Sequence, residues 1–236
     1  MQMVHEKVDE TSVPAYRKSE FFRMLSVPAL ADLESLLIPV SCPAHKVLFD
    51  ETQPSSGIVV IVQGEVKLSI NSRDGRRLSF RIAKAGEVLG LSATLSGGEY
   101  EMTAETLYPA RMAHVSRAAF LQFLVRHPEV YQIVAREMIR SFNDACEQLR
   151  TVCLSSSVPE RLARLLLVWS NPDAKTASSA SCRLSFTHAE IGEFIGASRE
   201  TVTRTLSTFK HRRLVSQHGC TLTIPSCNAL ETYACS

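Results

Sequence analysis

The sequence has no two cysteines at CxxC spacing, and its seven cysteines (Cys42, Cys146, Cys153, Cys182, Cys220, Cys227 and Cys235) form an odd, scattered set. That argues against a disulfide framework and offers no spacing that fits zinc or an iron–sulfur cluster. No apolar run reaches the ~18 residues of a membrane span, and the polar N-terminus lacks the apolar stretch of a signal peptide. A cytoplasmic chain with no membrane partner is the expectation. Histidine is scarce too: metal-dependent enzymes on cupin-like barrels gather several histidines and a carboxylate on their strands, and residues 47–115 hold only His114. The enzyme alternative lacks its parts, so no catalytic residue, metal ligand or cofactor is assigned.

What is present is ordinary globular composition, 45% hydrophobic and 21% charged, over 236 residues, a length that favours two domains. The net charge of +2 hides a bias. Residues 155–236 hold nine Lys/Arg against six Asp/Glu, and Arg199 to Arg213 hold five against one. Positive charge is concentrated where a nucleic-acid contact would use it.

Residues 1–20 read as a flexible leader, followed by a short helical stretch, Phe21 to Leu37. From Val47 to Val115 the texture is short β-rich runs broken by turns. Ile58 to Val62 is continuous and β-branched, Val66, Leu68 and Ile70 alternate, and Leu78, Phe80 and Ile82 alternate again. The spacing predicts an all-β barrel or roll over 21–117. Between Ala118 and Val152 there is no glycine and one proline, Pro128. A helix is therefore expected over 118–154. In it Ala135, Met138, Phe142, Ala145, Leu149 and Val152 are spaced three and four apart, the seam of a coiled coil, which predicts a homodimer. Cys146 and Cys153, seven apart, read as small apolar side chains, with a thiol switch as the alternative.

A third region, 155–236, opens with Ser155-Ser156-Ser157-Val158-Pro159, a helix start whose first face carries Leu162, Leu165, Leu166 and Trp169. A surface loop is expected from Asn171 to Cys182. Thr187-His188-Ala189-Glu190 then has the form of a capping box, with Ile191, Phe194 and Ile195 as the apolar face of its helix. Gly196-Ala197-Ser198 makes a turn, and Ser198 caps a second helix with Val202, Leu206 and Phe209 inward. Its outer face offers Arg199, Glu200, Thr203, Arg204 and Ser207. Two short helices joined by a Gly-containing turn form a helix-turn-helix, and a hairpin turning at His218-Gly219 completes a winged helix. The expected base readers are Arg199, Glu200, Thr203 and Arg204. Thr187, Ser198, Ser207, Lys210, Arg212 and Arg213 are the expected phosphate contacts.

Ile191-Gly192, Ile195-Gly196, Ser198-Arg199-Glu200-Thr201-Val202 and Arg204 resemble the DNA-binding signature of the Crp/Fnr family, and the order of roll, long helix and winged domain is similar over about residues 21–230. That family supplies one of the best-known examples of the helix-turn-helix. The resemblance implies an α+β chain whose cyclic-nucleotide-binding-like roll is a sensor. It also implies a dimer that reads an inverted, TGTGA-like repeat in double-stranded DNA. Loop Asn171–Cys182 lies where activating members touch RNA polymerase, a further implied partner, with a plain connector as the alternative. The effector pocket implied by the resemblance comprises Gly86, Glu87, Leu89, Gly90, Tyr100, Ala145 and Cys146. Cyclic-AMP-binding members follow their Gly-Glu with an arginine for the phosphate, yet no arginine lies between Arg81 and Arg111, where Glu99 and Glu101 stand instead. A cyclic-nucleotide-responsive regulator is therefore the alternative, and an unknown or lost ligand the expectation. Haem-binding members need a placed histidine, for which His45, His114 and His127 exist, and residues 1–41 have none of the cysteines that the family's oxygen sensors use.

Overall fold

The computed structural model describes residues 14–155, 157–170, 179–184 and 186–234. The chain is α+β and divides into two compact units, one of residues up to 68 with 82–140, the other of residues 69–81 with 141 onward.

In the first unit a 3₁₀ turn, Ala15–Lys18, leads into α1 (Glu20–Arg23) and α2 (Val27–Leu36). The helical stretch expected from Phe21 to Leu37 is not continuous. It breaks at Ser26, whose hydroxyl caps α2 by accepting from the Ala29 amide, with Pro28 in the first turn. The stretch expected as a loose leader is corrected in part. Its first 13 residues lie outside the described residues, while Tyr16 and Arg17 both bond to the Glu34 carboxylate, the Tyr16 hydroxyl at 2.9 Å and Arg17 Nε at 2.6 Å.

The strands are β1 (Ile38–Cys42), β2 (Val47–Phe49), β3 (Gly57–Gln63), β4 (Glu65–Asn71), β5 (Arg77–Lys84), β6 (Val88–Leu89), β7 (Thr103–Thr106) and β8 (Ala110–Ser116), with α3 (Leu91–Ser96) between β6 and β7. They form two four-stranded sheets, in the orders β1-β8-β3-β6 and β2-β7-β4-β5. The antiparallel register of β3 on β8 sets Ile58 opposite Val115 and Val60 opposite Ala113. These four join Phe21, Phe22, Leu33, Phe120, Phe123 and Leu124 in one core. Val59 and Ile61, on the other face of β3, are buried as well. A strand covered on both faces has no reason to alternate, which is why Ile58 to Val62 reads as one apolar run.

The segment expected as one helix over 118–154 is two helices and a π turn: α4 (Arg117–Arg126), α5 (Val130–Leu149) and Arg150–Leu154. The break falls at His127, with φ −128° and ψ 69°, because the residue before Pro128 is sterically kept out of the helical region.

In the second unit, α6 (Val158–Ser170) buries Leu162 and Leu166, and the Ser157 hydroxyl accepts from the Glu160 amide at 3.3 Å. Then come β9 (Ala180–Arg183), α7 (His188–Ile195), α8 (Arg199–His211), β10 (Ser216–His218), β11 (Thr221–Ile224) and α9 (Cys227–Ala234). The expected surface loop Asn171–Cys182 is corrected at its end: Ala180–Arg183 pairs antiparallel with β11, and Cys182 is buried. Residues 171–178, on which the RNA polymerase reading rests, lie outside the described residues.

Candidate nucleic-acid interface

The interface is built on α7 and α8, and their sequence explains how they are held. Thr187 caps α7 reciprocally: the Glu190 amide donates to the Thr187 hydroxyl at 3.2 Å, and the Thr187 amide donates to the Glu190 carboxylate at 2.8 Å. Ile191, Phe194 and Ile195 are buried, and Phe194 meets Trp169 edge-on with ring centroids 5.2 Å apart. Gly196 ends the helix at φ +60°, a left-handed conformation that favours glycine. Two further carbonyls at that end are satisfied by side chains, Phe194 by Gln148 Nε2 at 2.9 Å and Ile195 by Arg161 Nε at 2.8 Å. Helix α7 is thus fixed at both ends.

Ser198 caps α8 by accepting from the Thr201 amide at 3.3 Å. Val202, Thr205, Leu206 and Phe209 are buried, leaving Arg199, Glu200, Thr203, Arg204 and Ser207 exposed along the opposite face. The Glu200 carboxyl is held below its ordinary pKa by a hydrogen bond to its own backbone, then by Ser198, with Arg199 and Arg204 nearby. It stays an acceptor flanked by two guanidiniums. An open groove of about 600 Å³ runs between the starts of the two helices, lined by Phe186, Thr187, His188, Ala189 and Arg199. The base-reading candidates therefore share one ridge.

Of the expected phosphate contacts Ser207 lies on the same face, whereas the basic ones are not gathered there. Thr187 and Ser198 spend their hydroxyls on caps, although both lie beside the ridge. Lys210 stands about 16 Å along the axis from Arg199 at 1.5 Å per residue. Its ammonium donates to Gln217 Oε1 at 2.8 Å. Arg212 lies over the Tyr233 ring at 4.8 Å, and Arg213 is exposed in a left-handed conformation, φ +58°. Sequence reasoning missed His188, whose Nδ1 lies 2.7 Å from the Thr203 hydroxyl. Nothing local marks a contact between residues fifteen apart.

In the roll, Leu89 and Tyr100 are buried, and a side chain at Gly90 would meet the Tyr100 ring at 2.8 Å. Tyr100 is a core residue: its hydroxyl donates to the Gly57 carbonyl at 2.8 Å and its ring stacks on Phe49 at 4.0 Å. Gly86 and Glu87 instead form the turn before β6, Gly86 against Ser19, and Glu87 accepting from the Lys84 amide at 2.7 Å. Ala145 and Cys146 are half-buried on α5, in the second unit. The three histidines have protein neighbours: His45 beside Glu105, His127 beside Asp32 at 3.0 Å, and His114 beside Ser56, with burial lowering the His114 pKa. Among the described residues no group of three or more His, Cys, Asp or Glu could hold a metal ion, and no helix is long and apolar enough to cross a membrane.

A capped helix-turn-helix with a three-stranded wing (order β10-β11-β9), on the same chain as a β-roll, has the architecture of a DNA-binding regulator. Residues 160–233 match the Crp-like helix-turn-helix domain, and residues 39–127 match the cyclic nucleotide-binding domain. A CRP-like cAMP-activated global transcriptional regulator of Mycobacterium tuberculosis (strain CDC 1551 / Oshkosh) is 27% identical over 208 residues, 86% of this chain and 90% of that one. Two solved structures share the fold. The c-di-GMP responsive global regulator CLP of Xanthomonas campestris has a TM-score of 0.72 at 18% identity, covering 84% of this chain and 99% of that one. FixK2 of Bradyrhizobium japonicum has a TM-score of 0.70 at 19% identity, covering 83% and 96%. The chain belongs to the Crp/Fnr family and is a CRP-like DNA-binding transcription regulator.

Proposed function

We propose that the protein acts in the cytoplasm as a homodimer, laying α8 of each copy in the major groove of an inverted repeat with TGTGA-like half-sites. The observation that carries this reading is the exposed ridge of Arg199, Glu200, Thr203 and Arg204 on a helix whose other face is buried and whose start is capped. Arg199 and Arg204 have the reach for bidentate bonds to guanine O6 and N7, and the Glu200 carboxylate accepts from a cytosine amino group. Lys210, Arg212 and Arg213 contribute charge rather than sequence choice. The dimer reading is supported by α5, which leaves Met138 (38%), Phe142 (67%) and Leu149 (61%) exposed along one stripe. Ile139, not part of the expected seam, is exposed beside it. Val152, at the far end, is half-buried and close to Gly196. Two-fold symmetry sets the half-sites about one helical turn, ~34 Å, apart. The effector is a ligand other than cyclic AMP, or none.

In vitro selection from random duplexes tests the reading. Arg199→Ala is expected to cost ~1–3 kcal/mol and to relax preference at one guanine, while Lys210→Ala weakens all sequences alike and flattens the salt dependence. Identical sequence preferences for the wild type and Arg199→Ala would remove Arg199 from base readout.

A further inference from the structure

Thr203 carries two chemically different groups, and the structure commits one of them. Its hydroxyl donates to the Arg199 carbonyl, one turn back on α8, at 2.9 Å. The same oxygen lies 2.7 Å from Nδ1 of His188. A hydroxyl has a single proton to give. With that proton directed at Arg199, the His188 contact requires the proton of that bond to sit on Nδ1, so Thr203 accepts there. The side chain is nevertheless exposed on the ridge. It has no proton left to donate to a ligand, and beside one remaining lone pair on an oxygen already held by two partners it offers its methyl group.

The geometry points to Thr203 reading a base through its γ-methyl, against the 5-methyl of a thymine, with His188 as the positioning residue that keeps the hydroxyl turned away. Thymine is the base that presents an apolar group in the major groove, and a threonine methyl is a fitting partner for it. His188 is suited to the task because it is the first residue of α7, directly after the Thr187 cap, so its ring is held from outside α8. The inference rests on the reading of α8 as the base-reading helix, and adds to it one base and the group that recognises it.

Deoxyuridine differs from thymidine only by that methyl, which makes the test direct. After selection with the full chain, each thymine of the preferred duplex is replaced singly by deoxyuridine and affinities are measured by fluorescence anisotropy. At one thymine per half-site the wild type is expected to lose about fourfold, the worth of one buried methyl-sized group. Thr203→Val, which keeps a methyl and lacks the hydroxyl, retains that loss. Thr203→Ser, which keeps the hydroxyl and lacks the methyl, binds both duplexes alike. His188→Ala shrinks the discrimination and His188→Asn, whose amide can donate in place of Nδ1, restores it. A wild type indifferent to every replacement, or discrimination kept by Thr203→Ser and lost by Thr203→Val, overturns the methyl reading. Unchanged discrimination in His188→Ala removes the positioning role. If Arg199→Ala still shifts the selected sequence in those cases, the base-reading role of α8 stands, whereas a wild type with no sequence preference ends both.

Discussion

At Gly192 a single hydrogen atom decides how closely α7 and the turn after it can approach. A Cβ placed there would lie 2.3 Å from the Ala197 carbonyl oxygen, a backbone atom that cannot swing aside. The Gly192 carbonyl also accepts from the Ala197 amide at 3.0 Å, so the turn cannot retreat without breaking that bond. Gly192→Ala is expected to destabilise the second unit by about 1–3 kcal/mol, as overpacking does, and to weaken DNA binding. Gly75 is the control: its φ is +81° but nothing lies within 4 Å of an added Cβ. Gly75→Asn, at a residue type that tolerates the left-handed region, is expected to cost well under that. Equal shifts of the urea midpoint in the two variants would refute the steric account. Much of this site was legible in the sequence because its determinants are local. Thr187 and Glu190 are three apart, Ser198 directly precedes its helix, and Val202, Leu206 and Phe209 recur at helical spacing. The His188 to Thr203 bond was not legible, since it depends on how two helices cross.

At the level of elements, α5 is the one whose surface is least explained by its own chain. Buried Val130, Ile133 and Val134 face the roll core, while Met138, Ile139, Phe142 and Leu149 stay exposed. A partner helix along that stripe accounts for the spacing. Phe142→Asp would set a carboxylate in the seam, at a cost of several kcal/mol to the assembled form and little to a lone chain. Monomers in sedimentation and strongly weakened operator binding are expected, and a tight dimer persisting in that variant would rule out this face. Period alone revealed the stripe, but the elements around it depended on pairing and packing. Strand β9, Ala180-Ser181-Cys182-Arg183, is three small residues and an arginine with none of the β-branched or aromatic residues that favour strands, and it is a strand because β11 supplies its hydrogen bonds. Helix α9 is only eight residues, too short to hold its shape alone, and packing decides it: Leu230 is fully buried and Tyr233 meets Phe209 edge-on at 5.7 Å. The break between α4 and α5 was written in the sequence, at Pro128, whose effect on the preceding residue outweighs the helical pattern on either side.

Across the whole molecule charge is divided by task. Of 26 Lys/Arg and 24 Asp/Glu, residues 155–236 hold nine and six, which leaves 17 against 18 for residues 1–154. The DNA-binding part is the basic one, and the part that would receive an effector has no surplus of cations for an anionic ligand. The segment where cyclic-AMP-binding members of the family place their arginine is pinned by backbone bonds, Ser55 to Gly98 at 3.1 Å and Tyr100 to Gln53 at 3.0 Å. Tyr100 turns inward between Glu99 and Glu101, which remain exposed. A charge-assisted hydrogen bond from an arginine is worth about 1.5–3 kcal/mol, so its absence alone weakens a phosphate contact by roughly tenfold to more than a hundredfold. Two carboxylates in the same stretch add repulsion. Cyclic AMP is therefore expected neither to bind in the micromolar range nor to change the affinity for DNA. Calorimetry with millimolar nucleotide, paired with anisotropy on the selected duplex with and without it, reads both quantities. A micromolar dissociation constant would mean that a cation other than an arginine between Arg81 and Arg111 reaches the phosphate, and would return the chain to the cyclic-nucleotide-responsive alternative.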